Sequence, residues 1–402
     1  MTNGSGDDLD RFFSADHDDI YKGRTTDVYF QRTESILKAK GLLDTYTRSE
    51  FTVGGLPNDW PWAVLCGTEE VVRILEGRNV DLYCLPEGSI FTPRTKKGVK
   101  LPVASIDGPY GQYCSLETPA LGFMCYASGV ATMSARCKKA AGGLPVISFG
   151  VRRMHPAMAP VIDRSSYIGG CDGVSSLKGA ELVGKPASGT MPHSLVIMMG
   201  DQREAFRAYG EIIDPTVPRV ALTDTFYDEK AEALMAAEEM PGLRSVRLDT
   251  PSSRRGNMAD IVREVRWELD LHGHVDVGIF VSGGLDESKV KELAAVGASG
   301  FGVGTSISNA PTVDFAMDIV EKAGRPIAKR GKFAGRKYVF RCPNCLEYEV
   351  SLDREYPPRC SCGKEMRWAE VKVIEKGKRL VPEEPAEEIR RRVLRQLEGI
   401  DH

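Results

Sequence analysis

Four cysteines near the C-terminus of the 402-residue chain have the spacing of a metal site: Cys342-Pro-Asn-Cys345, fourteen intervening residues, then Cys360-Ser-Cys362. Two close thiol pairs supply four thiolates, the donor set of a tetrahedral structural Zn²⁺. A redox pair is the competing use, and a reducing cytoplasm disfavours it. A second chemistry is written in Ser282-Gly283-Gly284 and Gly302-Val303-Gly304-Thr305, each ahead of a helix-like segment. Backbone N–H groups in such turns can approach a phosphate closely. Singly these glycines would only make tight turns; paired in consecutive late units they favour a phosphate cradle. Arg247 and Asp249 flank Leu248 and therefore share one face of a strand. A guanidinium beside a carboxylate suits an anionic substrate carrying a sugar diol, or else a structural ion pair. Arg152 and Arg153 offer further planar anion binders. His193, in Gly189-Thr190-Met191-Pro192-His193-Ser194, stands in a constrained loop, where a functional and a hydrogen-bonded structural histidine are both open.

These groups must be brought together by the elements between them. Strand-like runs occur at 146–149, 195–199, 219–222, 245–248, 277–281 and 300–303, with a shorter candidate at 167–168. Several are followed by helical periodicity, as in KAEALMAAEEM and DESKVKELAAVG. Strands alternating with helices imply a parallel sheet whose chemistry collects beyond the C-terminal strand ends. The residues after the runs are polar: Arg152, Arg153, Thr223, Asp224, Thr225, Asp249, Ser282, Thr305. Six or seven units predict an α/β fold of the (β/α)₈ barrel type, irregular in form, with a doubly wound open sheet as the competing architecture.

The expected order is an arm at 1–20, an N-terminal α+β domain at 21–115, the barrel at 116–325, and a C-terminal region at 326–402 with a zinc knuckle at 338–370. Lys plus Arg number 53 against 56 for Asp plus Glu, so no global basic field exists to hold nucleic acid or anionic lipid. Around the cysteines Lys337, Arg341, Arg354, Arg359 and Lys364 are interleaved with acids, which favours a structural staple over an RNA-binding ribbon. There is no long apolar run, and the N-terminus is acidic and polar, unlike a secretory signal. A cytoplasmic protein is expected.

Asp19-Ile20-Tyr21-Lys22, Ser148-Phe149-Gly150-Val151-Arg152, Gly169-Gly170-Cys171-Asp172, the His193 loop, Val246-Arg247-Leu248-Asp249 and the two glycine turns occur in this order over residues 18–310. Together they resemble the nicotinate and nicotinamide phosphoribosyltransferases, and the cysteine module is similar to the zinc knuckle of archaeal nicotinate enzymes. The resemblance implies transfer of a ribose 5-phosphate from phosphoribosyl pyrophosphate, with Mg²⁺, to nicotinate in NAD synthesis. It implies that Phe149 stacks on the pyridine, opposed by Tyr21 from a partner subunit in a homodimer or larger assembly. Arg247, with Thr190, would hold the carboxylate and Asp249 the ribose hydroxyls. Ser282, Gly283, Gly284, Gly304 and Thr305 would take the 5-phosphate, while Arg152 and Lys329 or Lys332 would face the pyrophosphate. His193 matches a histidine that ATP phosphorylates, and the sequence shows no dedicated ATP site. Ser175 stands where the nicotinamide enzymes place an Asp, and a serine does not repel a carboxylate, so nicotinate is the expected base. The alternatives are a quinolinate phosphoribosyltransferase and a barrel plus zinc ribbon acting on RNA.

Overall fold

The structure is a computed structural model and describes residues 14–250, 253 and 256–400. Most of the expected arm lies outside the described residues; its end forms a short helix, His17–Tyr21, closed by a capping box between Asp16 and Asp19.

The site rests on a six-stranded parallel sheet in the spatial order Gly173–Val174, Val146–Ser148, Gly300–Val303, Gly278–Ser282, Leu243–Leu248, Arg219–Leu222. Its strands are apolar where they are covered: Val146, Phe301, Val303, Val281, Val246, Leu248, Ala221 and Leu222 are fully buried in one core, as expected for a parallel sheet covered by crossover helices. The irregular (β/α)₈-type barrel expected from sequence is not what forms among the described residues. The sheet is an open half-barrel, because two predicted strands are helical. Residues 195–199 belong to the helix His193–Met199, and 167–168 end the helix Ala159–Ile168. The 24-residue helix Glu117–Ala140 backs the sheet, and its small residues admit close neighbours: a Cβ on Gly129 would lie 2.3 Å from the Pro311 carbonyl oxygen.

A second, antiparallel sheet has seven strands in the order Arg325–Pro326, Phe315–Lys322, Tyr46–Val53, Ala104–Pro109, Asp81–Cys84, Val371–Glu375, Lys378–Arg379. It is therefore assembled from three distant stretches of chain and cuts across a division at 115 and 325. Its polar interior is paired: Arg48 binds Asp107 through two contacts of 3.0 and 2.9 Å, and Lys337 donates to Glu50 at 2.9 Å. A three-stranded ribbon, Tyr348–Ser351, Tyr338–Arg341, Arg367–Trp368, carries the cysteines. The terminal helix Ala386–Glu398 ties the units together. Gln396 accepts from Ile90 N at 3.0 Å and donates to Gly88 O at 2.8 Å, while Arg390 reaches Asp172 at 2.7 Å. No described helix is long and apolar enough to cross a membrane.

Candidate active site

Because all six strands run the same way, the residues after them meet along one edge, around a cleft of about 570 Å³. Phe149 follows the strand Val146–Ser148, and its ring lies against the neighbouring strand at Gly302. A Cβ there would sit 2.4 Å from Phe149 Cδ2, so only glycine admits the ring. The Arg247 guanidinium carbon is 5.8 Å from the Phe149 centroid.

Arg247 is held on three sides. Its Nε donates to Ser282 Oγ at 2.9 Å, one terminal nitrogen donates to Asp249 at 3.0 Å, and the other donates to Thr190 Oγ1. Ser282 Oγ in turn donates to the second Asp249 oxygen at 2.7 Å. The pair is thus both an ion pair and a wall of the cleft. Of the five guanidinium N–H groups three are used, leaving two for a ligand. Gly283 and Gly284, with φ of 89° and 67°, turn the chain after this strand. Gly304 and Thr305 do so after the next and line the same cleft, as do Ser175, Arg152 and Arg153. Both arginines are exposed.

His193 also lines the cleft, but from the start of a helix whose N-cap is Pro192, not from before a strand. Its Nδ1 hydrogen-bonds with Thr225 Oγ1 at 3.1 Å, and its Nε2 lies 3.8 Å from Asp224 and 3.9 Å from Asp249. Asp224 is the residue that sequence reasoning passed over, although its place just past a strand was visible. Its side chain is 2 % exposed, and neither oxygen receives a hydrogen bond. Burial first, and then the Asp249 charge, pushes its carboxyl up to about 7.

A carboxyl whose pKa is higher folded than unfolded favours the fold in its protonated form. That contribution is greatest below the ordinary carboxylate range and is lost as pH rises toward 7. Asp224→Asn, always neutral, is therefore expected to flatten the decline in melting temperature between about pH 4 and 7 relative to the parent. Parallel melting curves for the two proteins across that range would refute the assignment.

Three expected site residues do not line the cleft. Tyr21 donates to Glu76 O at 3.2 Å on the surface of the antiparallel unit, and the Arg78 guanidinium lies over its ring. Lys329 and Lys332 both pair with Asp318, Lys329 at 2.7 Å, beside a small polar cavity lined by Glu50, Arg94 and Lys100.

In the ribbon, the sulfurs of Cys342, Cys345, Cys360 and Cys362 all lie within 4.8 Å of one another. Cys342 and Cys362 are 3.5 Å apart, and Cys345 and Cys360 are 3.2 Å apart. A tetrahedral Zn²⁺ with Zn–S near 2.3 Å needs sulfurs about 3.8 Å apart, so the donor set fits one metal ion. Although burial raises the Cys342 thiol, the Cys345 and Asn344 N–H groups outweigh it and bring it to about 6. Cys360 Sγ and Ser361 Oγ each donate to Glu347 at 3.0 Å, and Glu347 is paired with Lys96.

Comparison with known proteins places this geometry. Models of the quinolinate phosphoribosyl transferase N-terminal and C-terminal domains match residues 27–128 and 130–318. Nicotinate phosphoribosyltransferase pncB2 of Mycobacterium tuberculosis is 33 % identical over 288 residues, covering 68 % of this chain and 60 % of that protein. The Bacillus subtilis nicotinate phosphoribosyltransferase is 27 % identical over 329 residues, covering 73 % and 63 %. The chain thus spans about 60 % of the length of these curated relatives. The crystal structure of a nicotinate-nucleotide pyrophosphorylase from Pyrococcus furiosus superposes with a TM-score of 0.93 at 50 % identity, over 97 % of this chain and 99 % of that one. Human nicotinic acid phosphoribosyltransferase, at 21 % identity and a TM-score of 0.72 over 94 % of each chain, shares the fold. The chain belongs to the phosphoribosyltransferase family that the two domain models describe.

Proposed function

We propose that the chain is a nicotinate phosphoribosyltransferase: the pyridine nitrogen attacks C1 of phosphoribosyl pyrophosphate, and the C1–O bond to pyrophosphate breaks. The carrying observation is Arg247, fixed by Ser282, Asp249 and Thr190 with two N–H groups left over, 5.8 Å from the Phe149 ring. Two remaining guanidinium N–H groups suit an anionic carboxylate, and an adjacent ring face suits a pyridine. The reaction passes through an oxocarbenium-like sugar, so it needs orientation and charge stabilisation more than a nucleophile from the protein. Asp249 receives the ribose hydroxyls. The N–H groups of Gly283, Gly284, Gly304 and Thr305 receive the 5-phosphate, and Arg152 faces the pyrophosphate. Arg152 would share that task with Mg²⁺ bound to phosphoribosyl pyrophosphate, which would supply neutralisation of the leaving group's charge. Ser175 faces the base in place of an acid that would repel it. His193, with Nε2 toward the cleft, is the group through which ATP would couple. Tyr21, outside the cleft of its own chain, would serve that of a second copy, whereas Lys329 and Lys332 stay paired with Asp318. The cysteines hold a structural zinc.

Quinolinate is the second reading, supported by the two quinolinate phosphoribosyl transferase domain models and by one feature of the cleft. Arg153 lines the cleft beside Arg152, and a second exposed guanidinium could receive a second carboxylate. The two readings separate in a pyrophosphate-release assay with nicotinate, nicotinamide and quinolinate in turn, each with and without ATP. Turnover is expected with nicotinate, and ATP stimulation is expected if His193 couples it. Turnover with quinolinate alone would overturn the proposal.

A further inference from the structure

One acid stands against the four sulfurs. Glu347 Oε2 lies 3.0 Å from Cys360 Sγ and 4.0 Å from Cys345 Sγ, and it accepts at 3.0 Å from the hydroxyl of Ser361, the residue between Cys360 and Cys362. Four thiolates around one Zn²⁺ leave negative charge in excess. A carboxylate set against such a centre is repelled by it, at a range where Coulomb energies are large. The group that answers this repulsion comes from outside the ribbon. Lys96 Nζ pairs with the other Glu347 oxygen and donates to Ser361 Oγ at 3.0 Å, across 265 residues of chain. Among the described residues, Lys96 is the cation paired with Glu347.

The backbone presents that lysine on a tight hairpin of the antiparallel unit. Arg94 and Lys100 bridge each other, Thr95 N donates to Val99 O at 2.9 Å, and the Arg94 guanidinium donates to Gly98 O at 2.9 Å. Gly98, with φ of 80°, makes the turn. Lys97, the next residue, pairs with Glu349 at 3.3 Å. The hairpin thus meets the ribbon through two neighbouring lysines, and the first of them touches the cysteine turn.

We infer that Lys96 is the charge-balancing residue of the four-cysteine site. Acting through Glu347 and Ser361, it offsets the carboxylate beside the sulfurs and makes metal affinity a joint property of the ribbon and the hairpin at 92–100. The inference rests on the reading of the cysteines as a metal site and is independent of the reaction in the cleft. The Lys96 side chain is 67 % exposed and that of Glu347 18 %, so solvent screens the pair. The effect belongs at the low end of the 10–100-fold range typical of groups that support metal ligands.

The test is the zinc affinity of the full chain, measured by competition with a chelating dye of known affinity. Lys96→Gln leaves the carboxylate unbalanced and is expected to weaken zinc roughly 10-fold at low salt, and much less in about 1 M NaCl, where the charges are screened. Glu347→Gln keeps an acceptor for Ser361 but removes the charge, so it should hold zinc at least as tightly as the parent. Combined with Lys96→Gln, it should restore affinity to within about two-fold of the parent. Lys96→Arg should also stay within about two-fold, because the charge is kept. So should Lys97→Gln, which loosens the same hairpin and leaves the charge at Glu347 balanced. Parental affinity in Lys96→Gln, a double variant as weak as Lys96→Gln, or an equal loss in Lys97→Gln would overturn the inference; the last two would make Lys96 a tether for the hairpin. A parent that binds no zinc would overturn the metal reading itself.

Discussion

Arg247→Ala is expected to lower kcat/KM for nicotinate by about 10²–10³-fold while the chain remains folded, with KM for phosphoribosyl pyrophosphate much less affected. The substitution removes the two unassigned N–H groups and also frees Thr190, Ser282 and Asp249 from the group that orients them. Asp249 retains the Ser282 hydroxyl and is 19 % exposed, so water can reach the vacated carboxylate, and the cost to folding is limited to a few degrees of melting temperature. Arg247→Lys should rescue little. An ammonium is a single point donor, and it cannot serve Ser282, Asp249 and Thr190 in one plane while keeping further N–H groups for a carboxylate. Steady-state kinetics for both substrates, with melting curves, decide the matter. Equal loss for both substrates together with a large drop in melting temperature would return the pair to the role of a structural ion pair.

The cleft was legible where a residue type and its distance from a strand end together determined the outcome. Phe149, Asp249, Ser282, Gly283, Gly284, Gly304 and Thr305 all stand within a residue or two of a parallel strand's C-terminus, and parallel strands bring such positions to one edge by geometry alone. His193 lines the cleft, but its element was not legible. Leu195 to Met199 is a short apolar run, which periodicity cannot assign to strand or helix. The decision falls to Pro192 at the N-cap and to Gly200, whose φ of 77° ends the helix. Asp224 was visible at a strand end, but its burial without a hydrogen bond is a property of the packed site and has no local signature. The seven-stranded sheet was illegible for a related reason. Tyr46–Val53 pairs with Phe315–Lys322, more than 250 residues away, and nothing in either segment names its partner. Tyr21, Lys329 and Lys332 were proposed by resemblance alone, and within one chain they stay with Glu76, Arg78 and Asp318.

The cysteine module was the most legible feature, and its loss should be felt far from the metal. Cys342→Ser, or exhaustive chelation, is expected to lower the melting temperature by on the order of 10 °C, because structural zinc binding contributes directly to folding free energy. The ribbon is short and has few other supports of its own. Beyond the sulfurs only Phe340, Met366 and the partly buried Tyr338 and Trp368 form its core. It is nevertheless continuous with the larger sheet, through Lys337 to Glu50 on one side and the strand Val371–Glu375 on the other, and Arg341 reaches Gln396 of the terminal helix. Unfolding the ribbon therefore loosens an edge of the seven-stranded sheet and the helix that ties it to the half-barrel. The cleft is built from other strands, so kcat measured well below the new melting temperature should fall far less than stability does. Metal analysis should find one zinc per chain, and thiol titration in denaturant after metal removal should find all ten cysteines reduced. Fewer free thiols, with less than one metal per chain and an unchanged melting temperature, would show instead that these cysteines pair as disulfides and do not hold a metal.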